Sequence, residues 1–346
     1  MKKIKLNEFF RGLDKSAKFL KYRELWHELD SYSLLTDFPL HLDVELSGVC
    51  NLKCESCFQH LITEPLGLMK MDLFKKIIDE GAEKGLCAIK LQIRGESFLH
   101  NQLFDCIRYA KDKGILDVQV TTNGTFLGKD TIELILSSGL DAIIFSVDGH
   151  HAESLDRKDN SSQQEVEENI RYLLAEREAR KNSNPWVRLR TCIQGSNKEE
   201  YAAVKENIKE RFPLADIVTV GRIHNFKDDE DSFPDLHTNY VLNPCTYLLQ
   251  RLAIFWNGNA TTCCMDYNNK FELGNVGEKG VQSIWLSNKM EVLREGHKQG
   301  KRIDTPICKH CLICTIRKDG SLLLDTTPRH SADYKLDAVC EKGESI

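Results

Sequence analysis

Residues 41–57 read HLDVELSGVCNLKCESC and join a strand-like segment directly to a cluster of cysteines. The segment at 41–47 alternates in the way that is typical of a strand entering a sheet. Cys50, Cys54 and Cys57 follow it in a tight loop, with the spacing C-x3-C-x2-C. Three thiolates this close can hold three irons of a cubane [4Fe–4S] cluster and leave the fourth iron without a protein ligand. The alternative is a structural zinc loop that borrows a distant fourth ligand.

Strand-like and helix-like stretches alternate from this segment onward to about Gly221. The predicted strands are 41–47, 87–93, 116–122, 141–147, 186–192 and 216–220, and the predicted helices are 71–85, 101–114, 130–139, 165–180 and 198–210. Asn101 is the predicted cap of the second helix, and Asp130 with Glu133 has capping-box spacing at the start of the third. The alternation predicts an α/β fold with a parallel sheet. Six such units are fewer than the eight of a closed barrel, and sites are expected at the carboxyl ends of the strands.

Composition and charge narrow the class of protein. The 346 residues include 47 basic and 52 acidic side chains, and this near balance gives no reason to expect nucleic acid as a partner. No apolar run approaches the roughly 18 residues needed to span a bilayer. No apolar signal region follows the basic N-terminus, so we expect a cytoplasmic protein without membrane association. The 13 cysteines in so large a chain then favour metal binding or chemistry over disulfides.

Shifts in composition divide the chain into four predicted parts and a linker. Residues 1–40 are predicted as a helical extension, and 41–225 as the partial barrel. The stretch 226–239 is acidic, contains a proline and lacks periodicity, so it is predicted as a linker. Residues 240–320 are rich in cysteine and in short strands, and 321–346 form a weakly patterned tail. The expected architecture is therefore a partial barrel followed by a small cysteine-rich domain.

The first cysteine loop resembles that of the radical S-adenosylmethionine (SAM) superfamily. The signature of that family is C-x3-C-x2-C after the first strand of a partial (β/α)6 barrel, which Cys50, Cys54 and Cys57 match. The resemblance implies a [4Fe–4S] cluster whose open iron chelates SAM. It also implies that one electron, from a flavodoxin- or ferredoxin-type donor, cleaves SAM to a 5′-deoxyadenosyl radical that removes hydrogen from a substrate. The family usually has an aromatic residue before the third cysteine, where this chain has Ser56.

Residues at the other strand ends resemble the SAM-binding positions of the family. Arg94-Gly95-Glu96 closes the second strand where the family has Gly-Gly-Glu, which implies that Glu96 holds the SAM ammonium. Groups suited to the ribose and methionine parts are offered by Thr122, Asn123, Ser146 and Asp148. Asn-Gly and Asp-Gly are also common turn formers, which is the alternative for these residues. Arg190 could pair with the SAM carboxylate in bidentate fashion, and Arg188 on the same strand face competes for that role.

A second set of cysteines occupies the C-terminal part: Cys245, Cys263, Cys264, Cys308, Cys311 and Cys314. The arrangement resembles the auxiliary-cluster module called SPASM, or its shortened form, twitch. Its spacing is especially similar to that of the butirosin-type aminocyclitol alcohol dehydrogenases within the superfamily. The resemblance implies one auxiliary [4Fe–4S] cluster held by four matching ligands: Cys245, Cys263, Cys308 and Cys311. Zinc at these thiols is the alternative.

Several residues are candidates for the chemistry on the substrate. Cys264 adjoins a predicted ligand and could return a hydrogen atom to a substrate radical, although a spare thiol is more often a small buried apolar group. Asp266 follows the Cys263-Cys264 pair, and Arg222 ends the last strand; either could act as base or anchor. The remaining cysteines on predicted strands and helices are expected in the core: Cys87, Cys106 and Cys192.

The expected reaction is oxidation of a sugar or cyclitol alcohol, with the auxiliary cluster as electron acceptor. Epimerisation with a cysteine hydrogen donor is a second possibility, and modification of a ribosomal peptide is a third. Peptide-modifying relatives typically carry an N-terminal peptide-binding domain, for which the residues before His41 are too few. An electron carrier with two clusters would not explain the open three-cysteine loop. The substrate is therefore expected to be a small molecule, or else a peptide.

Overall fold

The computed structural model describes residues 1–54, 56–147, 163–193, 198–223, 240–309, 311 and 315–317. The strands within these residues are β1 (Lys2–Ile4), β2 (Leu34–Thr36), β3 (His41–Val44), β4 (Ala88–Lys90), β5 (Asp117–Thr122), β6 (Ala142–Ser146), β7 (Trp186–Ile193), β8 (Ile217–Arg222), β9 (Tyr240–Leu242), β10 (Arg251–Ile254), β11 (Asn259–Thr261), β12 (Gly274–Asn275) and β13 (Thr315–Arg317).

The helices surround a sheet made from most of these strands. They are α1 (Leu6–Phe9), α2 (Lys15–Glu28), α3 (Met71–Lys84), α4 (Leu103–Asp112), α5 (Lys129–Ser137), α6 (Gln163–Ala179), α7 (Lys198–Arg211), α8 (Tyr247–Gln250), α9 (Val276–Lys279), α10 (Val281–Trp285), α11 (Asn288–Lys298) and α12 (Pro306–Lys309). Short 3-10 turns lie at Leu29–Ser31, Phe58–Leu61, Ser97–Leu99 and Arg302–Asp304.

The six parallel strands β3 to β8 lie in chain order, and the helices α3 to α7 connect them. This confirms the predicted α/β fold, and the six strands are consistent with a partial barrel. Two predicted helix caps are wrong. Gln102 stands at the N-cap of α4 and Gly128 at that of α5, and neither side chain makes a capping hydrogen bond. α4 begins two residues after Asn101, and α5 begins one residue before Asp130. Both helices bury an apolar stripe against the sheet.

The sheet continues beyond the barrel strands into the cysteine-rich part of the chain. β10 pairs in parallel with β3, from His41 beside Arg251 to Val44 beside Ile254. β11 and β12 follow in antiparallel pairing, so the complete order is β12-β11-β10-β3-β4-β5-β6-β7-β8. The first barrel strand thus lies inside a nine-stranded sheet, and the cysteine-rich part adds strands directly to the barrel.

The N-terminal segment is packed against the same unit. β1 pairs in parallel with β2, so the predicted helical extension contains two short strands as well as α1 and α2. Tyr22 and Trp26 of α2 are buried. The Gln250 side-chain amide donates to the carbonyl oxygen of Trp26 at 2.9 Å, and the Tyr32 hydroxyl donates to that of Cys245 at 2.6 Å. These contacts tie the N-terminal segment to the cysteine-rich part.

The two faces of the barrel sheet differ in chemistry. On β7, Val187 and Leu189 are buried in the apolar core beneath the helices, whereas the alternate residues Arg190 and Cys192 are exposed. Cys87 and Cys106 are buried as expected, but the core assignment of Cys192 is wrong, because it lies on the opposite face from Leu189. The face away from the helices is the one that carries polar groups.

A buried charge cluster lies on this polar face, around Asp43 of β3. The Asp43 carboxylate lies 2.9 Å from the Lys90 amine, 3.3 Å from the Arg251 guanidinium and 3.4 Å from the His41 ring. Burial lowers the pKa of His41 to about 4, so this ring is neutral near pH 7. Although burial alone would raise the pKa of Asp43, Lys90 and Arg251 hold it well below the usual range. The carboxylate is therefore ionised and links β3 to β4 and β10.

Candidate cluster and SAM site

The first cysteine loop begins where β3 ends. Cys50, Cys54 and Cys57 are all reduced and partly buried. Burial, with smaller contributions from the nearby Glu96, Cys54 and Cys57, raises the pKa of the Cys50 thiol to about 11. Thiolates become favourable here once a cation is bound, because ligation displaces the proton. A set of thiols alone on one loop fits an iron–sulfur cluster.

Glu96 lies in the segment after β4, at the start of the 3-10 turn Ser97–Leu99, and is almost fully buried. Its carboxylate accepts hydrogen bonds from the Thr122 hydroxyl at 2.8 Å, the Asn123 main-chain N–H at 2.8 Å and the Phe98 main-chain N–H at 3.0 Å. Burial raises the pKa of Glu96. Its own main-chain N–H donates to the carbonyl oxygen of Val49 at 2.8 Å. Glu96 therefore connects the first cysteine loop to the end of β5.

Asn123 completes this connection. Its side-chain amide donates to the side-chain oxygen of Asn51 at 3.0 Å and lies 3.9 Å from the Cys50 sulfur. Its own side-chain oxygen accepts from the Thr125 hydroxyl at 2.7 Å. Four residues proposed from sequence for the cluster and SAM site are thus brought together: Cys50, Glu96, Thr122 and Asn123.

The remaining SAM candidates lie on the next strands. Ser146 of β6 is directly beside Arg190 of β7, and both side chains are exposed on the polar face. Arg188, two residues earlier, is partly buried and donates to the Thr219 hydroxyl at 3.1 Å. Arg190 is therefore the more open of the two guanidinium groups. Asp148 lies outside the described residues.

Three cysteines of the second set lie near Cys263: Cys264, Cys308 and Cys311. Burial raises the pKa of the Cys263 thiol well above its usual range, and Cys264, Cys311 and Cys308 raise it further. The main-chain N–H of Cys311 donates to the main-chain carbonyl oxygen of Cys308 at 3.3 Å. The Cys245 N–H donates to the His297 ring at 3.2 Å, and the Arg302 guanidinium donates to the Cys311 carbonyl oxygen at 2.6 Å.

These thiols again fit an iron–sulfur cluster by donor type. Within the described residues, no group of three or more His, Cys, Asp or Glu is arranged to hold a single metal ion. Cys314 lies outside those residues.

The catalytic candidates have different surroundings. Asp266 is 2% exposed, and its carboxylate accepts from the Thr261 hydroxyl and from the Lys270 and Phe271 main-chain N–H groups. This carboxylate organises the loop after Cys264 and is poorly placed to act as a base. The main chain of Arg222 ends β8, and its side chain lies outside the described part of the chain.

Cys264 is partly buried at the edge of the SAM site. It packs against a small apolar cluster of Ile93, Ala253 and Phe255. Ile93 immediately precedes Arg94-Gly95-Glu96, which places this thiol near the strand end that carries Glu96. Of the proposed catalytic residues, Cys264 is therefore the one whose described contacts adjoin the SAM site.

Arg94 is an important residue whose role was not anticipated from sequence. Its guanidinium makes two hydrogen bonds of 2.7 Å to the Glu45 carboxylate and one of 3.0 Å to the Tyr267 carbonyl oxygen. It also lies 3.9 Å from the centre of the Phe255 ring. The sequence did contain a signal for this role. Glu45 lies on the same face of its strand as Asp43, and a buried carboxylate at that position needs a partner. Arg94 thus replaces a family glycine with a buried link to the cysteine-rich part.

Two family models match the chain. The radical SAM superfamily matches residues 44–205, and the iron-sulfur cluster-binding domain SPASM matches residues 245–312. The chain therefore contains a radical SAM domain followed by a C-terminal SPASM domain. A radical SAM domain implies an enzyme that uses SAM with a [4Fe–4S] cluster, and a SPASM domain implies auxiliary iron–sulfur cluster binding. No helix of the described residues has the length and apolar character to cross a membrane.

Two curated relatives are similar in sequence. One is the tungsten-containing aldehyde ferredoxin oxidoreductase cofactor-modifying protein of Pyrococcus furiosus, 25% identical over 72% of this chain and 81% of the relative. The other is the S-adenosyl-L-methionine-dependent 2-deoxy-scyllo-inosamine dehydrogenase of Niallia circulans, 37% identical over 16% of this chain and 22% of the relative. The first relative matches most of the chain at low identity, and the second matches only a short part at higher identity. Neither match is sufficient to assign a substrate to this chain.

Two solved structures share the fold. The structure of BtrN in complex with AdoMet and 2-DOIA covers 78% of this chain and 92% of its own, at 18% identity and a TM-score of 0.53. The structure of Streptococcus suis SuiB bound to precursor peptide SuiA covers 84% of this chain and 74% of its own, at 15% identity and a TM-score of 0.57. At these identities the likeness concerns the fold.

Proposed function

We propose that this radical SAM enzyme oxidises an alcohol carbon of a small sugar- or cyclitol-like substrate. The observation that carries the proposal is the position of Cys308 and Cys311 beside Cys263. Cys245 is the fourth ligand that the SPASM-type spacing implies. Four protein thiols leave no iron of a cubane open. A cluster held in this way can exchange electrons but has no free position to chelate a substrate.

Each part of the site has a separate task in this proposal. When bound, SAM and its cluster supply the radical that takes hydrogen from carbon, and the auxiliary cluster supplies an acceptor for the second electron. The hydroxyl proton passes to water. Cys50, Cys54 and Cys57 hold the first cluster. Glu96 holds the SAM ammonium, while Ser146 and Arg190 on the open face bind the methionine end. The ligands of the auxiliary cluster are Cys245, Cys263, Cys308 and Cys311.

A second candidate function is epimerisation, and the position of Cys264 favours it. The thiol is next to Ile93 and Phe255, close to the strand end that carries Glu96. In such a reaction the thiol gives its hydrogen atom to the substrate radical from the opposite face. The product then has the oxidation level of the substrate, whereas dehydrogenation gives a ketone.

Reaction in deuterated water tests the proposal. A panel of sugar and cyclitol alcohols is incubated with the reconstituted, reduced enzyme and SAM, and products are analysed by mass spectrometry and NMR. Dehydrogenation gives a ketone with no hydrogen at the reacting carbon, and Cys264→Ala still forms it. An inverted alcohol with one deuterium at carbon, lost in Cys264→Ala, would instead establish the epimerase. Turnover of a peptide alone would exclude both.

A further inference from the structure

The two cysteine-bearing loops are in direct contact through aromatic rings. Phe58 directly follows Cys57, and its ring stacks on that of Tyr267 with centroids 4.9 Å apart and an interplanar angle of 16°. Tyr267 lies three residues after Cys264. Stacked rings contribute about 0.5–1.5 kcal/mol beyond their buried area. This contact thus connects the segment after Cys57 with the segment after Cys263, and each of these cysteines is a proposed ligand of one cluster.

Hydrogen bonds reinforce the contact on one side of the stack. The Asn268 side chain accepts from the Thr63 main-chain N–H at 2.8 Å and donates to the Leu61 carbonyl oxygen at 2.9 Å. Leu61 ends the short turn that follows Cys57, and Thr63 lies just beyond it. A side-chain amide that donates and accepts toward the same segment fixes both its distance and its orientation.

Arg94 holds the other side of the contact. Its guanidinium bonds to the Tyr267 carbonyl oxygen and to both oxygens of Glu45, and the Arg94 and Glu45 side chains are 2% and 0% exposed. The carbonyl oxygen of Arg94 also lies 3.5 Å from the Gln59 side-chain amide, which donates to it. A buried bidentate pair is rigid, because breaking it leaves an uncompensated charge. Tyr267 is thus held from the barrel sheet as well as from the cysteine loop.

We propose that these five residues (Phe58, Thr63, Arg94, Tyr267 and Asn268) form a joint that couples loading of the auxiliary cluster to SAM affinity at the first site. Binding of iron by Cys263 orders the loop that carries Tyr267 and Asn268. That loop in turn holds the Cys54–Cys57 side of the first loop in the shape that receives SAM. Phe58 and Tyr267 are positioning residues in this scheme, and they do not touch the reacting atoms.

The test is a double-mutant cycle on SAM binding, which needs no substrate and so stands apart from the proposed function. The SAM dissociation constant is measured on anaerobic protein from the change in the electron paramagnetic resonance spectrum of the reduced first cluster. Cys308→Ala removes the auxiliary cluster, which is checked by iron content. Tyr267→Ala removes the stack while both clusters remain loaded. Each change is expected to raise the dissociation constant about five-fold or more, the lower end of typical coupling between sites.

The combined variant decides the matter. If the joint carries the coupling, the dissociation constant of the variant with both Cys308→Ala and Tyr267→Ala is no higher than that of the single variant that binds SAM more weakly. Tyr267→Phe keeps the stack and is expected to bind as the parent does, as is Tyr172→Ala at an exposed surface tyrosine. Unchanged affinity in either single variant, or effects that multiply in the combined one, would overturn the proposal. If Tyr267→Ala fails to load both clusters, Asn268→Ala replaces it in the same cycle.

Discussion

Gly95 lies against the carbonyl oxygen of Val49 so closely that a β-carbon at position 95 would come within 2.3 Å of it. The same added atom would be 2.4 Å from the Ser47 carbonyl oxygen and 2.7 Å from the Gly48 carbonyl carbon. All three obstacles are main chain and cannot rotate away. The segment that follows β4 therefore touches the start of the first cysteine loop, and only glycine permits this approach.

Gly95→Ala is expected to disrupt the first loop. Relief of the clash must move the loop backbone, at a cost of about 1–3 kcal/mol, as is typical of overpacking. We expect a lower unfolding temperature and loss of SAM binding, with iron reduced at the first cluster. Gly296→Ala is the matched control, since nothing lies within 4 Å of its added carbon and alanine favours the interior of α11. Gly95→Ala with parental SAM affinity would contradict the contact described here.

Iron content tests the two sets of ligands separately. Anaerobically reconstituted protein is expected to hold about eight iron and eight sulfide per chain, because each set of thiols suits one cubane. Replacement of Cys50, Cys54 and Cys57 by alanine is expected to leave about four iron, and the same count is expected when Cys263 and Cys308 are replaced instead. Stoichiometric zinc without iron in the anaerobically purified protein would contradict both assignments.

Glu96→Gln tests the ammonium site. The substitution keeps the size of the side chain but removes a charge-assisted hydrogen bond, which is worth roughly 1.5–3 kcal/mol. SAM affinity is therefore expected to fall at least about ten-fold by calorimetry, with iron content retained. Glu133→Gln makes the same change at an exposed glutamate of α5 and is the matched control, expected to bind SAM as the parent does. If Glu96→Gln loses iron from the first cluster together with SAM affinity, the role of Glu96 is to organise the loop.

The buried ring of His41 is expected to make the folded protein less stable as pH falls. Because burial lowers its pKa to about 4 in the folded protein, the unfolded chain binds the proton first as pH falls. The contribution of the neutral ring to the free energy of unfolding is complete above about pH 6.5 and decreases as pH drops toward 4. At pH 5 the free energy of unfolding is lower by roughly 2 kcal/mol than at neutral pH.

Thermal unfolding between pH 7 and pH 5 measures this effect. His41→Gln, which cannot titrate, is expected to lose less stability over that range than the parent. His27→Gln, at an exposed position of α2, is expected to follow the parent. Equal pH dependence in the parent and His41→Gln would exclude His41 as the source.

Local pattern was sufficient to predict the order of strands and helices in the barrel. Strand β7, for example, buries one alternate set of residues, and each of the helices α3 to α5 buries an apolar stripe, so the periodicity records the burial. The location of Glu96, Thr122 and Asn123 at one edge was expected because carboxyl ends of neighbouring parallel strands share that edge of a sheet. The hydrogen bonds from Thr122 and Asn123 to Glu96 were not predicted.

Contacts between distant segments could not be predicted in this way. Nothing in the sequence of β10 specifies that it pairs with β3 rather than forming a separate sheet. The stack of Phe58 on Tyr267 and the pairing of Arg94 with Glu45 depend on that placement. The exposure of Cys192 likewise depends on which face of β7 the helices cover, which the identity of one residue does not reveal.

The pairing of β10 with β3 has a consequence for the order in which the chain can fold as it is synthesised. Val44 has emerged from the ribosome long before Ile254, its partner across the strands. Until then β3 has only β4 beside it, and the opposite edge presents free main-chain donors and acceptors to any passing strand. The nascent barrel is consequently open to misassembly until the SPASM domain is translated. A chain that stopped before β10 would keep that open edge permanently, even though every cysteine of the first loop would be present.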